Sequence, residues 1–134
     1  MDKTIITIVV VALIAGGIQA YKEQRVNVTM QPDTQDLGMV IYGNVAQTTF
    51  ILTNNTAQPL AITKVSTSCS CTSATVENQS LEPYESTSVN VSFDPAVHKN
   101  DTDLGDIVRT IYIQTDNPNF ARVTAEIMAT VVQK

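Results

Sequence analysis

The sequence predicts an all-β protein: an antiparallel β-sandwich of about seven strands in two sheets, preceded by an N-terminal hydrophobic helix. Val, Ile and Thr account for 46 of the 134 residues, and these β-branched side chains favour strands because their χ1 angles are restricted in a helix. Turn-forming residues recur between short apolar stretches, and beyond residue 20 the sequence shows no run of helical periodicity. Short strands without crossover helices between them are typical of a sandwich.

The predicted hydrophobic helix covers residues 4–20, and Thr7 is the only polar residue between Ile5 and Ile18. A helix of that length spans about 25 Å, compared with about 30 Å for the hydrocarbon core of a bilayer. We therefore interpret residues 1–22 as a signal peptide or a single-pass signal anchor that contacts the membrane through residues 4–20. A buried core helix is the alternative, and the lack of a polar stripe disfavours it.

This leader predicts that the remaining part of the chain, residues 23–134, is exported and folds as one sandwich domain. With the leader retained, the domain is anchored in the inner membrane and faces the periplasm or another extracytoplasmic space. With the leader cleaved, it is secreted into that space.

Individual strands are predicted from the alternation of apolar and polar residues, which places every second side chain on the same face. Because the last stretch is long, regular and at the chain end, we expect residues 122–132 to form an exposed sheet edge. In chain order, the predicted strands cover residues 26–30, 46–53, 60–65, 88–93, 107–114 and 122–131.

A series of short motifs gives the chain a family resemblance. They are Asp36-Leu37-Gly38, Phe50-Ile51-Leu52-Thr53-Asn54-Asn55, Ser68-Cys69-Ser70-Cys71-Thr72, Val89-Asn90-Val91-Ser92-Phe93-Asp94 and Thr115-Asp116-Asn117-Pro118. In this order, over residues 26–132, they resemble the bacterial domain-of-unknown-function 1573 family, an Ig-like domain related to ASH and PapD-like modules. Where that family usually has glycine, this sequence has Ser70 and Tyr84. The resemblance implies an exported or membrane-tethered Ig-like sandwich and no established activity.

Composition and charge argue against several classes of function. A net charge of −5 disfavours nucleic-acid binding, which needs a basic surface. Neither a G-x-S-x-G motif nor a glycine-rich phosphate loop is present, so the sequence predicts no enzyme and no cofactor. We expect His98, the single histidine, to be a solvated loop residue. We interpret Asp101, Asp103 and Asp106 as a solvated acidic turn, because their spacing does not fit a calcium-binding loop.

Cys69 and Cys71 are the candidate disulfide or thiol pair. In an extended strand their Cα atoms lie about 6.6 Å apart, at the far end of disulfide geometry, so a bond between them needs a kink or bulge. The alternatives are a structural bridge or two buried thiols, a redox-active pair, an intermolecular bond, and a thiolate pair for copper(I), a soft metal.

The function that these features predict is a non-catalytic, membrane-tethered, extracytoplasmic module for binding or scaffolding. Its expected partner is a protein of unknown identity, recognised by an exposed sheet edge or by loops at one end of the sandwich. The alternative is a thiol-redox or copper-handling protein that uses the Cys69-x-Cys71 pair.

Overall fold

The computed structural model describes residues 25–99 and 103–134. The predicted leader, its boundary near residue 22 and the membrane contact through residues 4–20 lie outside this part of the chain. Within the described residues, no helix has both the length and the apolar composition needed to cross a bilayer.

The described residues form nine strands rather than about seven. Three strands were not predicted: one contains Gly38 and looks like a turn, one is rich in Thr and Ser, and one has only two residues. In chain order the strands are β1 (Asn27–Gln31), β2 (Thr34–Ile41), β3 (Ala46–Asn55), β4 (Leu60–Thr67), β5 (Thr72–Val76), β6 (Ser80–Leu81), β7 (Ser86–Phe93), β8 (Gly105–Thr115) and β9 (Arg122–Val132), with a 3₁₀ helix, Pro118–Phe120, before β9.

Two sheets make up the sandwich, as predicted. One has four strands in the order β1-β3-β7-β5, and the other has five in the order β2-β9-β8-β4-β6. Neighbouring strands are antiparallel except β2, which runs parallel to β9 from the Thr34–Glu126 pair to the Ile41–Val132 pair. The prediction of a wholly antiparallel sandwich is therefore wrong at β2.

The predicted edge at residues 122–132 is also wrong, because β9 lies between β2 and β8. The chain leaves β1 through a turn with a cis Gln31–Pro32 peptide bond and crosses to the other sheet, where β2 covers the outer side of β9. Alternation of side chains determines which face is buried, but it carries no information about the neighbouring strand. The strands at the sheet edges are β1, β5, β2 and β6.

The core lies between the sheets and takes every second side chain from the central strands. Phe50, Leu52 and Phe93 from one sheet, with Ile111 and Ile127 from the other, are fully buried. Burying a side chain of this size stabilises the fold by about 1.5–3 kcal/mol. The residues that alternation places on the inner faces of β7, β8 and β9 thus form part of the core, as predicted.

A buried polar group, which we call the Asn54 network, fixes the turn between β3 and β4. The Asn54 side chain is completely buried, and its Nδ2 donates to the carbonyl oxygens of Gln58 (2.8 Å) and Glu82 (3.2 Å). Its Oδ1 accepts from the hydroxyl (2.7 Å) and the backbone N–H (3.1 Å) of Thr56. In this turn the Asn54 side chain supplies the hydrogen-bond partners that backbone groups supply in a regular strand.

The two positions where glycine is usual in the related domains behave differently. Tyr84 has a φ of 63° in the tight turn closed by the hydrogen bond from Glu85 N to Glu82 O (3.1 Å). A positive φ at the third residue of a turn favours glycine, and the tyrosine adopts it nonetheless. Among the described non-glycine residues, positive φ angles occur at Tyr84 and Lys99, so the backbone at Ser70 does not need glycine.

Candidate functional site

The Cys69–Cys71 pair lies in the turn between β4 and β5, where the chain crosses from the five-stranded to the four-stranded sheet. The structure joins the two cysteines in a disulfide bond with a Cα–Cα distance of 5.2 Å. This is shorter than the spacing of about 6.6 Å in an extended strand, and the turn provides the difference. The hydrogen bond from Thr72 N to Cys69 O (3.1 Å) closes the turn around the bridge.

Strands on both sides hold this turn in place. The Thr67 hydroxyl is within hydrogen-bond distance of the carbonyl oxygens of Cys69 (2.9 Å) and Thr72 (2.7 Å). Ser68 N donates to Thr110 O (2.9 Å), which fastens the turn to β8. The backbone is therefore tied by hydrogen bonds that do not involve the disulfide.

The two sulfurs have different surroundings. Cys71 is 2% exposed, whereas Cys69 is only partly buried. Arg109 Nε donates to Cys71 Sγ over 3.2 Å, so a positive charge lies against the inner sulfur. The outer sulfur, Cys69 Sγ, accepts the backbone N–H of Cys71, also over 3.2 Å.

Arg109 reaches Cys71 from β8, on the same face as the buried Ile107 and Ile111. Its Nη2 donates to Asp103 Oδ1 over 2.7 Å, and its side chain is 20% exposed. The second oxygen of Asp103 is 2.8 Å from His98 Nδ1. One buried carboxylate thus contacts both the partly buried arginine and the exposed histidine.

Asp103 is 2% exposed, which contradicts its predicted place in a solvated acidic turn. Burial by itself raises the pKa of the carboxyl group. The hydrogen bonds from His98 and Arg109, together with their positive charges, outweigh burial and lower the pKa of Asp103 below its ordinary value. Asp103 is therefore ionised at neutral pH and balances the charge of Arg109.

His98 is an exposed loop residue, as predicted, but both of its ring nitrogens have partners. Nε2 is 2.9 Å from Ser70 Oγ, and Nδ1 is 2.8 Å from Asp103 Oδ2. We call Ser70, His98, Asp103 and Arg109, together with the Cys69–Cys71 bridge, the Arg109 network.

The order Ser70–His98–Asp103 has the connectivity of a hydrolase triad. A serine hydrolase also needs a donor for the oxyanion, commonly the backbone N–H of the residue after the nucleophile. Here that residue is Cys71, and its N–H donates to Cys69 Sγ. This N–H is therefore engaged within the cysteine turn, and the Ser70–His98–Asp103 chain connects that turn to the loop before β8.

A metal site fits poorly while the bridge is closed. Among the described residues, Cys69, Cys71 and Asp103 bring one possible ligand atom each within 4.8 Å of one another. Both sulfurs, however, are bonded to each other, and the Arg109 guanidinium contacts both Cys71 and Asp103. A positive charge in this position repels a metal cation, and thiolates would exist only after reduction.

Sequence reasoning identified the cysteine pair and missed the groups around it. The alternation of β8 contained one usable signal: Arg109 falls on the inward side, in phase with Ile107, Ile111 and Ile113. An arginine on the inward-facing side of a strand requires a buried anion that pairs with its charge. Nothing in the spacing identified Asp103 as that anion, because its position depends on the folding of the loop before β8.

A second feature, which we call the β4–β5 cleft, opens beside the disulfide turn. Strand β6 pairs with β4 only at Leu60 and Ala61, so the rest of β4 has β8 as its only partner strand. The β4–β5 cleft has a volume of about 410 Å³. Its apolar lining comes from Ile62, Val65, Ala74 and Val76.

Solved structures share this fold at low sequence identity. A protein of unknown function from Porphyromonas gingivalis W83 superposes with a TM-score of 0.66 and 21% identity, over 84% of this chain and 50% of that protein. The PapD-like domain 7 of human CEP192, an ASH/PapD-like domain, gives 0.60 and 11% over 87% and 92% of the two chains. The YadV chaperone gives 0.58 and 8% over 78% and 51%. These likenesses show the fold alone.

The chain spans half the length of the Porphyromonas protein. No curated protein has a sequence that matches this chain. A family model, described as a protein of unknown function (DUF1573), matches residues 28–131. Together with the sandwich fold and the cysteine turn, this match shows that the chain belongs to the DUF1573 family.

Proposed function

We propose that this protein is a non-catalytic module that binds an extended segment of a partner protein in the β4–β5 cleft. The observation that carries the proposal is the free edge of β4 beyond Ile62: β6 pairs with Leu60 and Ala61, and the Ile62 N–H donates to Gln79 O (2.8 Å). An uncovered edge presents backbone N–H and C=O groups that can pair with an added strand.

The lining of the cleft suits an added strand. Ala74 and Val76 point inward from β5 and are half-buried, as is Val65 on β4. A strand paired with β4 would direct every second side chain onto this apolar lining and the others toward solvent. The expected ligand is therefore an extended peptide with small apolar residues at alternate positions. The shared fold of the YadV chaperone supports a protein-binding role by analogy.

We further propose that the module acts outside the cytoplasm and is tethered to the membrane by residues 4–20. The apolar run in the sequence supports this location. A disulfide within the domain is consistent with an oxidising compartment. A reporter that is active only outside the cytoplasm, fused after Lys134 and expressed in bacteria, should be active. A reporter active only in the cytoplasm would contradict the proposed location.

A random dodecapeptide library displayed on phage provides a probe for the cleft. Peptides selected on the full-length chain should share alternating small apolar residues. On binding, they should protect the backbone amides of β4 from hydrogen exchange. Protection at β2 or β1 in place of β4 would contradict the proposed site.

Ala74→Glu places a larger, charged side chain on the apolar part of the cleft lining and should weaken the binding of the selected peptides by at least about tenfold, because their apolar side chains would then contact a carboxylate that must lose water. Thr49→Glu is the matched control, since Thr49 is exposed on β3 away from the cleft and should leave affinity unchanged. Equal affinity of both variants would reject the cleft as the binding site.

A further inference from the structure

We propose that the Cys69–Cys71 bridge is a site of thiol–disulfide exchange with an external dithiol, in which the incoming thiolate attacks Cys69 Sγ and Cys71 leaves as a thiolate held by Arg109. This activity goes beyond peptide binding and does not depend on what occupies the β4–β5 cleft. It rests on the unequal surroundings of the two sulfurs.

Access selects the sulfur that is attacked. Exchange needs a thiolate to reach one sulfur directly. Cys71 is 2% exposed and belongs to the core, whereas Cys69 is partly exposed at the surface of the turn. The outer sulfur is therefore the one that an external thiolate meets first.

Charge selects the sulfur that leaves. The leaving group departs faster when its thiolate is stabilised, and Arg109 Nε already donates to Cys71 Sγ over 3.2 Å. Asp103 fixes the guanidinium through Nη2 (2.7 Å), and His98 holds the other oxygen of Asp103. The donor is thus in place before the negative charge forms on Cys71, and no rearrangement is needed to stabilise it.

The exchange balances with a dithiol as the reductant. Its first thiolate forms a bond to Cys69 Sγ, the Cys69–Cys71 bond breaks, and the electron pair of that bond stays on Cys71. The second thiolate of the reductant then attacks the reductant's own sulfur in the mixed disulfide and releases Cys69 as a thiolate. Two electrons pass to the bridge, the reductant becomes a disulfide, and its two thiol protons are released or taken up by the cysteines.

The fold tolerates opening of the bridge. A loop closed between positions i and i+2 restricts the unfolded chain less than a long loop does, so the bridge adds less to stability than a long-range disulfide would. The turn also keeps its hydrogen bonds at Thr67, Ser68 and Thr72. Reduction is therefore a local event, as an exchange site requires.

The attacked sulfur can be identified in the native full-length chain with glutathione as the probe. Samples are quenched with N-ethylmaleimide and acid while reduction is partial, and the peptide that contains both cysteines is sequenced by mass spectrometry. We expect glutathione on Cys69 and the maleimide on Cys71, in at least about tenfold excess over the reverse. An equal distribution, glutathione on Cys71, or a bridge that reacts only in denaturant would overturn the proposal.

The role of Arg109 is tested by the rate constant for reduction by dithiothreitol. Arg109→Gln should slow reduction at least about tenfold, because the Cys71 thiolate loses its charged donor. Arg122→Gln is the matched control: this arginine lies over the Tyr112 ring at 4.0 Å and should leave the rate unchanged. An unchanged rate in Arg109→Gln would overturn the role of Arg109. If that variant does not fold, the glutathione experiment on the native chain decides.

Discussion

Strand β4 runs between two polar networks that differ in kind. The Asn54 network at its beginning is neutral and consists mainly of hydrogen bonds from side chains to backbone groups. The Arg109 network at its end is charged, connects the turn of residues 69–71 with side chains from residues 98–109, and surrounds a bond that can react. The first satisfies the backbone of a turn, and the second stabilises charge beside a sulfur.

This difference separates a structural network from a candidate site. Buried polar atoms are normally paired in any stable fold, and the described residues contain no buried side-chain N or O atom without a partner. A complete set of hydrogen-bond partners for buried polar atoms therefore does not by itself indicate function. A charged donor against one sulfur of a disulfide is different, because the hydrogen bonds of the turn do not require it.

The largest effect is expected in the Asn54 network. Asn54→Ala removes four hydrogen bonds, leaves the buried Thr56 N–H without its partner and opens a cavity, and should lower the free energy of unfolding by about 3 kcal/mol. Urea unfolding measures the loss. Asn90→Ala is the control, because Asn90 is exposed and its side chain accepts only from Thr49; it should cost less than about 0.5 kcal/mol. A smaller loss for Asn54→Ala would show that the turn does not depend on the side chain.

Asp103→Asn should have the second-largest effect, about 2 kcal/mol, because it leaves the mostly buried Arg109 without its counter-ion. The estimate lies below the value for a fully buried pair, since water reaches part of the arginine. Urea unfolding at pH 7 measures it. A loss near zero would mean that Arg109 and Asp103 do not form a stabilising pair.

The pH dependence should distinguish the two networks. The pKa of Asp103 is lower in the folded than in the unfolded chain. The contribution of its ionised form to the free energy of unfolding is therefore complete above the ordinary pKa of about 4, and it is lost as the pH falls through the folded pKa. The difference in the free energy of unfolding between the native chain and Asp103→Asn should therefore shrink below about pH 4. The deficit of Asn54→Ala should stay constant over the same range. Parallel pH profiles for both variants would contradict the assignment.

Reduction of the bridge should cost less than either substitution. For a three-residue loop the chain-entropy relation gives about 1.6 kcal/mol. Urea unfolding with and without a phosphine reductant measures the change, and far-UV circular dichroism should show unchanged strand content. Loss of the β signal on reduction would show that the bridge supports the whole fold and not only the turn.

The smallest effect is expected for Ser70→Ala. Ser70 is exposed and contacts His98 through one hydrogen bond, so the change in stability should stay below about 0.5 kcal/mol. The rate of reduction by dithiothreitol should change less than about twofold. If Ser70 were instead a nucleophile, the native chain would hydrolyse an activated ester and this variant would not.

The strands that build the core were predictable, and the arrangement around them was not. Alternation of Val89, Val91 and Phe93 identifies β7 because one face of a sheet must be buried. Strand β2 was missed because Gly38 looks like a turn residue, although it lies in a bulged edge strand. Residues 122–132 were predicted as an edge, because nothing local to β9 shows that β2 pairs beside it.

By itself, the sequence determined an all-β sandwich, the inward-facing residues of its central strands and Cys69 and Cys71 as a candidate disulfide or thiol pair. These depend on local periodicity and on neighbours two residues apart. Only the tertiary structure decided which sulfur is buried, that Arg109 lies against it, and that Asp103 and His98 hold the arginine. Those contacts bring residues 69–71 against residues 98–109, and this placement follows from the packing of two sheets, whose free energy belongs to the whole core and not to any one stretch of chain.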